Sequence, residues 1–293
     1  MDYDRQPGGI DLHIHSTASD GTFSPDQILQ MAENAGLSAI SITDHDTIEG
    51  LRQIRDPKPA GLRLLSGVEI SAAAPAGYPL RGSLHILGYG FDPGNAGLNR
   101  TLGQLQTART GRNPKILLKL RSIGIELPAA SVARAAGGGQ VGRPHIAQAM
   151  VRHGFAASID DAFDRFLGAG GPAYVDKYRI PCAEAVRTIR EAGGIAVLAH
   201  PFLVKQLGDE GLESLVADLV SMGLGGIEIY YPGHGPQQID IGLSLAARFG
   251  LLVTGGTDFH GDLTPAVRLG TGTGNQFVPF SLYERLVAAL PAG

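Results

Sequence analysis

The side chains best placed to do chemistry open the chain, in Asp11-Leu12-His13-Ile14-His15-Ser16, with Asp20 close behind. On a strand, alternate side chains share a face, so His13 and His15 would project together while Leu12 and Ile14 face the other layer. Two imidazoles aimed at one point can hold a metal ion. A lone His-x-His also arises by chance on an exposed strand, so the reading depends on its company. That company is Ile42-Thr43-Asp44-His45-Asp46, Gly67-Val68-Glu69, Leu84-His85-Ile86-Leu87, Leu198-Ala199-His200-Pro201 and Gly256-Thr257-Asp258-Phe259-His260. Each puts imidazole or carboxylate at one end of an apolar run.

Six of the 9 histidines fall in these segments, and Asp20, Glu69 and Asp258 join them as potential ligands. So many nitrogen and carboxylate donors exceed one tetrahedral site and predict two or three ions with a bridging carboxylate. His85 opens its run instead of closing it. An antiparallel strand beside Glu69 would bring it to the same place; a packed core histidine is the alternative. His153, ahead of Gly154, suits a helix C-terminus. His145, in Gly142-Arg143-Pro144-His145-Ile146, and His234, in Tyr230-Tyr231-Pro232-Gly233-His234, are candidate substrate contacts, with ordinary helix-start and loop roles as the alternatives.

Such residues need a scaffold that gathers strand ends. Apolar runs suited to buried strands lie at Ile10–Ile14, Ala39–Thr43, Leu62–Val68, Leu84–Gly88, Ile195–Ala199, Gly226–Tyr230 and Leu251–Thr254, mostly separated by helical patterns. Ser24-Pro25-Asp26 caps one helix and Gly36 closes it, while Thr47, Gly211 and Pro236 open others. This α/β alternation predicts a barrel with its working residues at the strand ends, against an open doubly wound sheet.

Between Leu84–Gly88 and Ile195–Ala199 the alternation breaks into helical patterns. From Arg100 to Arg190 there are 14 Lys and Arg against 6 Asp and Glu, within a chain of 24 against 28. We therefore expect a barrel from 1–99 and 191–293 and an inserted helical, basic cap subdomain at 100–190. Clustered positive charge would concentrate an anionic substrate; solvated helices that happen to carry arginine are the bland reading. The 293 residues, 43% hydrophobic, suffice for a real core. The single Cys excludes a disulfide framework and a thiolate zinc site. With no signal-peptide pattern at the start and no apolar run of bilayer length, a cytoplasmic, non-membrane protein is expected.

The ordered set DLHIHSTASDG, ITDHDT, GVEI, LHILGYG, VLAHP and GTDFH, spanning residues 10–260, resembles the PHP (polymerase and histidinol phosphatase) family of metal-dependent phosphoesterases. The resemblance implies a distorted seven-stranded (β/α)7 barrel with up to three ions. It implies His13, His15, Glu69 and Asp258 around one ion, Glu69, His85 and His200 around a second, and Asp20, His45 and His260 around a third. Several members carry cysteine where His200 stands. Histidine hardens the site and leans it towards manganese, with iron, magnesium or zinc as the other candidates.

The helical insertion and the GRPHIA motif further resemble a stand-alone bacterial branch. Those proteins remove the 3′-phosphate from nucleoside 3′,5′-bisphosphates and trim short RNA from the 5′ end. The implied substrate is a small phosphorylated nucleotide, with short single-stranded RNA as a second, and no obligate protein partner is evident. Divalent ions would activate water for in-line attack on phosphorus, and Asp20, His200 and His260 are the candidate catalytic residues, the two histidines for the leaving oxygen. Arg143 and Lys177 are candidates for a second phosphate, with Arg134 and Arg179 in reserve and ordinary surface cations as the alternative. Tyr178 or Phe202 would stack on a base, unless both are packing residues. Three other functions compete: a histidinol-phosphatase-like activity, amidohydrolase-type amide or lactone hydrolysis, and a structural metal-binding module serving a nucleic-acid partner.

Overall fold

The computed structural model describes residues 8–55, 61–78, 80, 83–137, 139–204 and 207–291. β1 (Ile10–Ile14) leads through α1 (Pro25–Asn34) to β2 (Ala39–Ile42), and α2 (Glu49–Arg52) leads on to β3 (Arg63–Ala73). β3 turns back into β4 (Leu84–Tyr89). There follow α3 (Ala96–Ser122), α4 (Ala129–Ala135), α5 (Arg143–Arg152) and α6 (Ile159–Ala162), the last continuing into a π-helical turn at Phe163–Leu167. The chain then returns through β5 (Ile180–Pro181), α7 (Cys182–Glu191), β6 (Ile195–Leu198), α8 (Gly208–Ser221) and β7 (Gly226–Tyr230). It ends with α9 (Pro236–Phe249), β8 (Leu252–Gly255) and α10 (Phe280–Ala288). None of these helices is long and apolar enough to cross a membrane.

Seven strands run β1-β2-β3-β4-β6-β7-β8 around the sheet, with β3–β4 and β4–β6 antiparallel and the other pairs parallel. The ring closes where Ile14 bridges Phe259: the His15 N–H donates to the Phe259 carbonyl at 2.9 Å, and the Phe259 N–H to that of His13 at 3.4 Å. That closure gives the expected seven-stranded barrel and excludes an open sheet. It also ties the His-x-His segment to the Asp258 segment. Leu12 packs with β4, β6 and α10 but Ile14 with α1, so the two do not share the layer that strict alternation predicts; the register of β1 against β2 shifts between Asp11 and Ile14.

Local chemistry accounts for the helix ends. Ser24 caps α1 in a reciprocal box with Gln27, and Pro25 occupies its first turn. Pro236 starts α9 as expected, but α8 begins at Gly208 and not at Gly211, because the residues ahead of Gly211 already hold helical geometry. Thr47 accepts the Glu49 N–H at 3.2 Å, just ahead of α2. The two-residue β5, which pairs Ile180 with Ala72 at the end of β3, has no pattern long enough to see in the sequence.

The helices after β4 have an apolar cluster of their own, drawn from residues 116–175 and centred on Ile116, Leu120, Ile146, Met150 and Leu167. Leu98, Leu102 and Leu105 on the first half of α3 pack instead into the barrel cluster, as do Val186 and Ile189 of α7. α3 is thus a shared spine, rooted in the barrel at one end and in the helical layer at the other.

Asp11 pins the barrel closure from below. Its carboxylate accepts the Thr257 N–H at 2.9 Å, the Thr257 hydroxyl at 2.6 Å and the Gly270 N–H at 2.8 Å. Complete burial pushes its carboxyl up to about 6 against these hydrogen bonds. Asp11→Ala would strand these donors, so urea unfolding should show a loss of about 3 kcal/mol or more. The same measurement on Tyr178→Ala, an exposed site, should change by less than about 0.5 kcal/mol.

Candidate metal centre

Glu69, fully buried at the middle of β3, is the point on which the site converges. Its Oε1 lies 2.8 Å from His85 Nδ1, 3.2 Å from His200 Nε2 and 3.5 Å from His13 Nε2. Its Oε2 lies 2.7 Å from His45 Nδ1 and 3.3 Å from His15 Nε2. Five imidazoles, carried on or at the ends of four strands (β1, β2, β4 and β6), therefore face one carboxylate. Antiparallel pairing sets His85 opposite Ser71, two residues along β3 from Glu69, which brings the ring there although it opens its strand.

Two further carboxylates flank this centre. Asp258 Oδ1 lies 3.1 Å from His15 Nε2, 3.4 Å from His13 Nε2 and 3.5 Å from His260 Nδ1. Asp20 Oδ1 is 3.5 Å from His260 Nε2, and its Oδ2 is 3.9 Å from His45 Nε2. Three groups of donors stand close enough to share an ion: His15, Asp20, His45 and His260; His13, His15 and Asp258; and His45, Glu69 and His85. His15 and His45 each belong to two groups, so the donors form one continuous cluster. His200 reaches it through Glu69 and through His85 Nδ1, 3.4 Å away.

Unsatisfied atoms show what the cluster is built for. His13 Nε2, His15 Nε2, His45 Nδ1, Asp20 Oδ1 and Glu69 Oε2 are buried without a hydrogen-bond partner. Orphaned buried polar atoms are costly, and here they are lone-pair donors turned towards one another. That donor set fits divalent cations.

The electrostatics agree. Burial opposes the charged form of Glu69, but the imidazoles of His45, His85 and His13 outweigh it and hold the carboxyl well below its ordinary value. Asp258 is lowered in the same way by His13 and His260, and Asp20 by His45 and His260. Burial, with the neighbouring His260 and His45, brings His15 down to about 3, and burial brings His85 down to about 4, so both keep a lone pair. For His260, burial is overcome by Asp258 and Asp20, which push it up to about 9.

The strand ends are bent to deliver these side chains. Among the described residues only Asp46, His200 and Asp258 have positive φ without being glycine, and all three lie at the cluster or beside one of its members. Gly256 lets the closing loop approach β1, since a Cβ there would lie 2.3 Å from the His13 nitrogen. Asp44 holds the loop that carries Asp20, accepting the Ser16 N–H at 2.7 Å and the Ser19 hydroxyl at 2.6 Å. Asp46 accepts the Ser71 N–H and Arg109 Nη2, each at 2.7 Å, and lies 3.2 Å from Lys177 Nζ.

A cavity of about 160 Å³ adjoins the cluster, lined by Asp20, His45 and His85 together with Arg109, Arg112, Arg143 and Lys177. Arg143 lies over the rings of Phe163 and Tyr174 and donates to the Leu167 carbonyl at 3.1 Å. Lys177 lines the same cavity but is engaged by Asp46 and by the Ser71 hydroxyl, and burial brings its ammonium down to about 8. Arg179 is outside the cavity lining, paired with Asp176 at 2.9 Å and bonded to Ser83. Arg134 is exposed and bonds to Ser131 one turn away, far from the role expected of it.

His145 is buried, and its Nδ1 accepts the Gly142 N–H at 2.9 Å as part of the α5 cap. His234 bonds through Nδ1 to the Ile229 carbonyl and lines a different cavity, beside Tyr230 and Phe277. His153 caps α5 and bonds to Ser131, a structural role. Phe202 packs edge-on against His234, and Tyr178 is exposed and lines none of the described cavities. Phe163 and Tyr231, which the sequence did not single out for this role, line the apolar space of about 490 Å³ beside Asp258 and His260.

The sequence reading also missed Glu228, Asp46, Arg109 and Arg112. A readable signal exists for the arginines: they continue the Leu98-Leu102-Leu105 stripe of α3 at helical spacing, so its buried face turns cationic near the cluster.

A family model described as the PHP domain matches residues 11–178. The chain belongs to that family. It is similar to a 5′-3′ exoribonuclease of Haemophilus influenzae, 35% identical over 251 residues, covering 85% of this chain and 89% of that protein. A 3′,5′-nucleoside bisphosphate phosphatase of Chromobacterium violaceum is 32% identical over 260 residues, covering 86% and 87%. Among solved structures, a metal-dependent phosphoesterase from Bifidobacterium adolescentis superposes with a TM-score of 0.80 at 30% identity over 96% of both chains. A structure described as an amidohydrolase from Chromobacterium violaceum gives 0.81 at 28% identity, covering 97% and 99%. This PHP protein is a metal-dependent phosphoesterase.

Removing the central carboxylate should disperse the donors. Glu69→Gln is expected to lose more bound divalent ion, by elemental analysis after equilibrium dialysis, than His85→Gln at the edge. Equal retention by wild type and Glu69→Gln would show that Glu69 does not organise the site.

Proposed function

We propose that this chain removes the 3′-phosphate from nucleoside 3′,5′-bisphosphates and trims short RNA from its 5′ end, using two or three divalent ions, manganese foremost. The observation that carries the reading is one cavity lined both by candidate ligand residues and by arginines. A phosphoryl group at the cluster would then have a second anionic pocket within reach. The relatives' names, a bisphosphate phosphatase and an exoribonuclease, point the same way.

His13, His15, Asp20, His45, Glu69, His85, His200, Asp258 and His260 would hold the ions. Bound there, they would lower the pKa of a water, draw in the phosphoryl oxygens and offset charge on the departing alkoxide. The chain's own groups do the rest. Arg143, braced by two aromatic rings, presents a planar donor pair to the second phosphate. Lys177 and Arg109 share the single charge of Asp46, so together they leave the pocket net positive. His200 or His260, whose side chains are 11% and 14% exposed, would hand a proton to the leaving oxygen in a state where that ring is not holding an ion. The apolar cavity lined by Phe163, Leu203, Tyr231 and Val267 takes the nucleoside and excludes water.

In this reading residues 100–190 act as the cap and 1–99 with 191–293 as the catalytic barrel. A cytoplasmic setting suits the free Cys182. Amidohydrolase chemistry is the competing activity, favoured by the likeness to the Chromobacterium structure of that description. Against it, the bridging place belongs to Glu69 and not to a lysine.

A panel of mononucleotides, 3′,5′-bisphosphates, histidinol phosphate, short 5′-phosphorylated RNA and model amides decides between these. Phosphate release or mononucleotide release should depend on added metal and stop with chelator. Asp20→Asn should abolish turnover of every phosphate ester. Arg143→Ala should lower kcat/KM for bisphosphates by roughly 10–100-fold while sparing singly phosphorylated substrates, the loss of one charge-assisted contact. Amide turnover without phosphate release would overturn the proposal, and equal loss on all substrates would remove Arg143 from specificity.

A further inference from the structure

We infer that Glu228, a buried residue in the middle of β7, is a positioning residue that sets two of the metal-facing histidines at once; the inference rests on reading the cluster as a metal centre. Glu228 has no exposed surface and is not one of the clustered donors. Its Oε1 lies 2.9 Å from His13 Nδ1, and its Oε2 accepts the backbone N–H of His200 at 2.7 Å. One carboxylate thus spans from β7 to β1 and to the end of β6.

Each contact has a consequence at the cluster. With Nδ1 of His13 committed to Glu228, the other ring nitrogen is the one left to face an ion, and it is the buried, unpartnered Nε2 facing Glu69 and Asp258. A carboxylate behind a ligating imidazole fixes its tautomer and orientation and strengthens it as a donor. His200 stands at φ 27°, ψ 60°, a left-handed geometry costly for a residue with a Cβ. The Glu228 oxygen on its N–H helps hold that turn, and the turn is what lays the ring against Glu69 and His85.

The pairing also explains why the residue is an acid. Both partners are donors, so both oxygens must accept. An amide at this place has one acceptor and one NH₂ group. Glu228→Gln must either face its NH₂ towards His13, forcing the proton onto the inward Nε2, or towards the His200 N–H, leaving two donors opposed.

The test is divalent binding to the purified protein, followed by manganese titration calorimetry and by the rise in Tm that manganese produces. Wild type should bind, and Glu228→Gln should bind roughly 10–100-fold more weakly and show a correspondingly smaller metal-induced rise in Tm. Loss of stability in the metal-free variant with undiminished affinity would mean a packing role only, and would overturn the inference. Should Glu228→Gln fail to fold, Glu228→Asp serves. It keeps both acceptors but reaches less far, so its manganese affinity should also fall, and wild-type affinity would count against Glu228. A wild type that binds no divalent ion would instead sink the metal-centre reading itself.

Discussion

Everything in this molecule turns on a carboxylate that has no water to face. Glu69 is fully buried, and five imidazoles stand within 3.5 Å of its oxygens. A charge in that position is tolerable only if positive charge is brought to it. The barrel does this by ending its strands on histidine and carboxylate, so that one closed ring of backbone supplies donors from nearly every direction. Metal binding and barrel closure are therefore not separate problems. The bridge between Ile14 and Phe259 that shuts the ring also sets His13 and His15 beside Asp258.

Around the donors lies a second set of buried acids with a different task. Asp11, Asp44, Asp46 and Glu228 spend their oxygens on backbone N–H groups, hydroxyls, cations and the His13 ring, and each steadies backbone next to one or more of the clustered donors. Such outer contacts convert a collection of ligands into a rigid site. Asp46 goes further, because it joins the His45 loop to Arg109 on α3 and to Lys177 near β5. The helical layer is thereby coupled to the metal side of the barrel through one carboxylate.

That coupling gives the site two chemically different flanks. Arginines and a lysine line one space beside the cluster, and Leu203 and Tyr231 line another. Pro144 and Phe163 border both spaces, so the helical layer forms a wall common to them. A phosphorylated nucleoside has this same division between charge and flat apolar surface. In the proposed reading the barrel would take the phosphoryl group, and the inserted helices would contact the rest of the substrate.

Most of the clustered imidazoles and carboxylates were legible as candidates because they sit in or at the ends of apolar runs, while Asp20, in the loop after β1, was legible only from the motif around it. Histidine spacing and the order of the motifs were local facts, and so was the run of seven strands. Glu228 and Asp46 were not legible, because a lone acid inside GIEIY or beside His45 acquires its meaning only from partners more than twenty residues away. Lys177 and Arg134 show what a list of cations leaves open: one is enclosed against Asp46 beside the cavity, and the other stands in solvent. Composition and pattern determine what donors a chain owns and which faces they share. Closure of the ring decides which of them meet, since charge and hydrogen-bond pairing depend on separations in space that no spacing along the chain encodes.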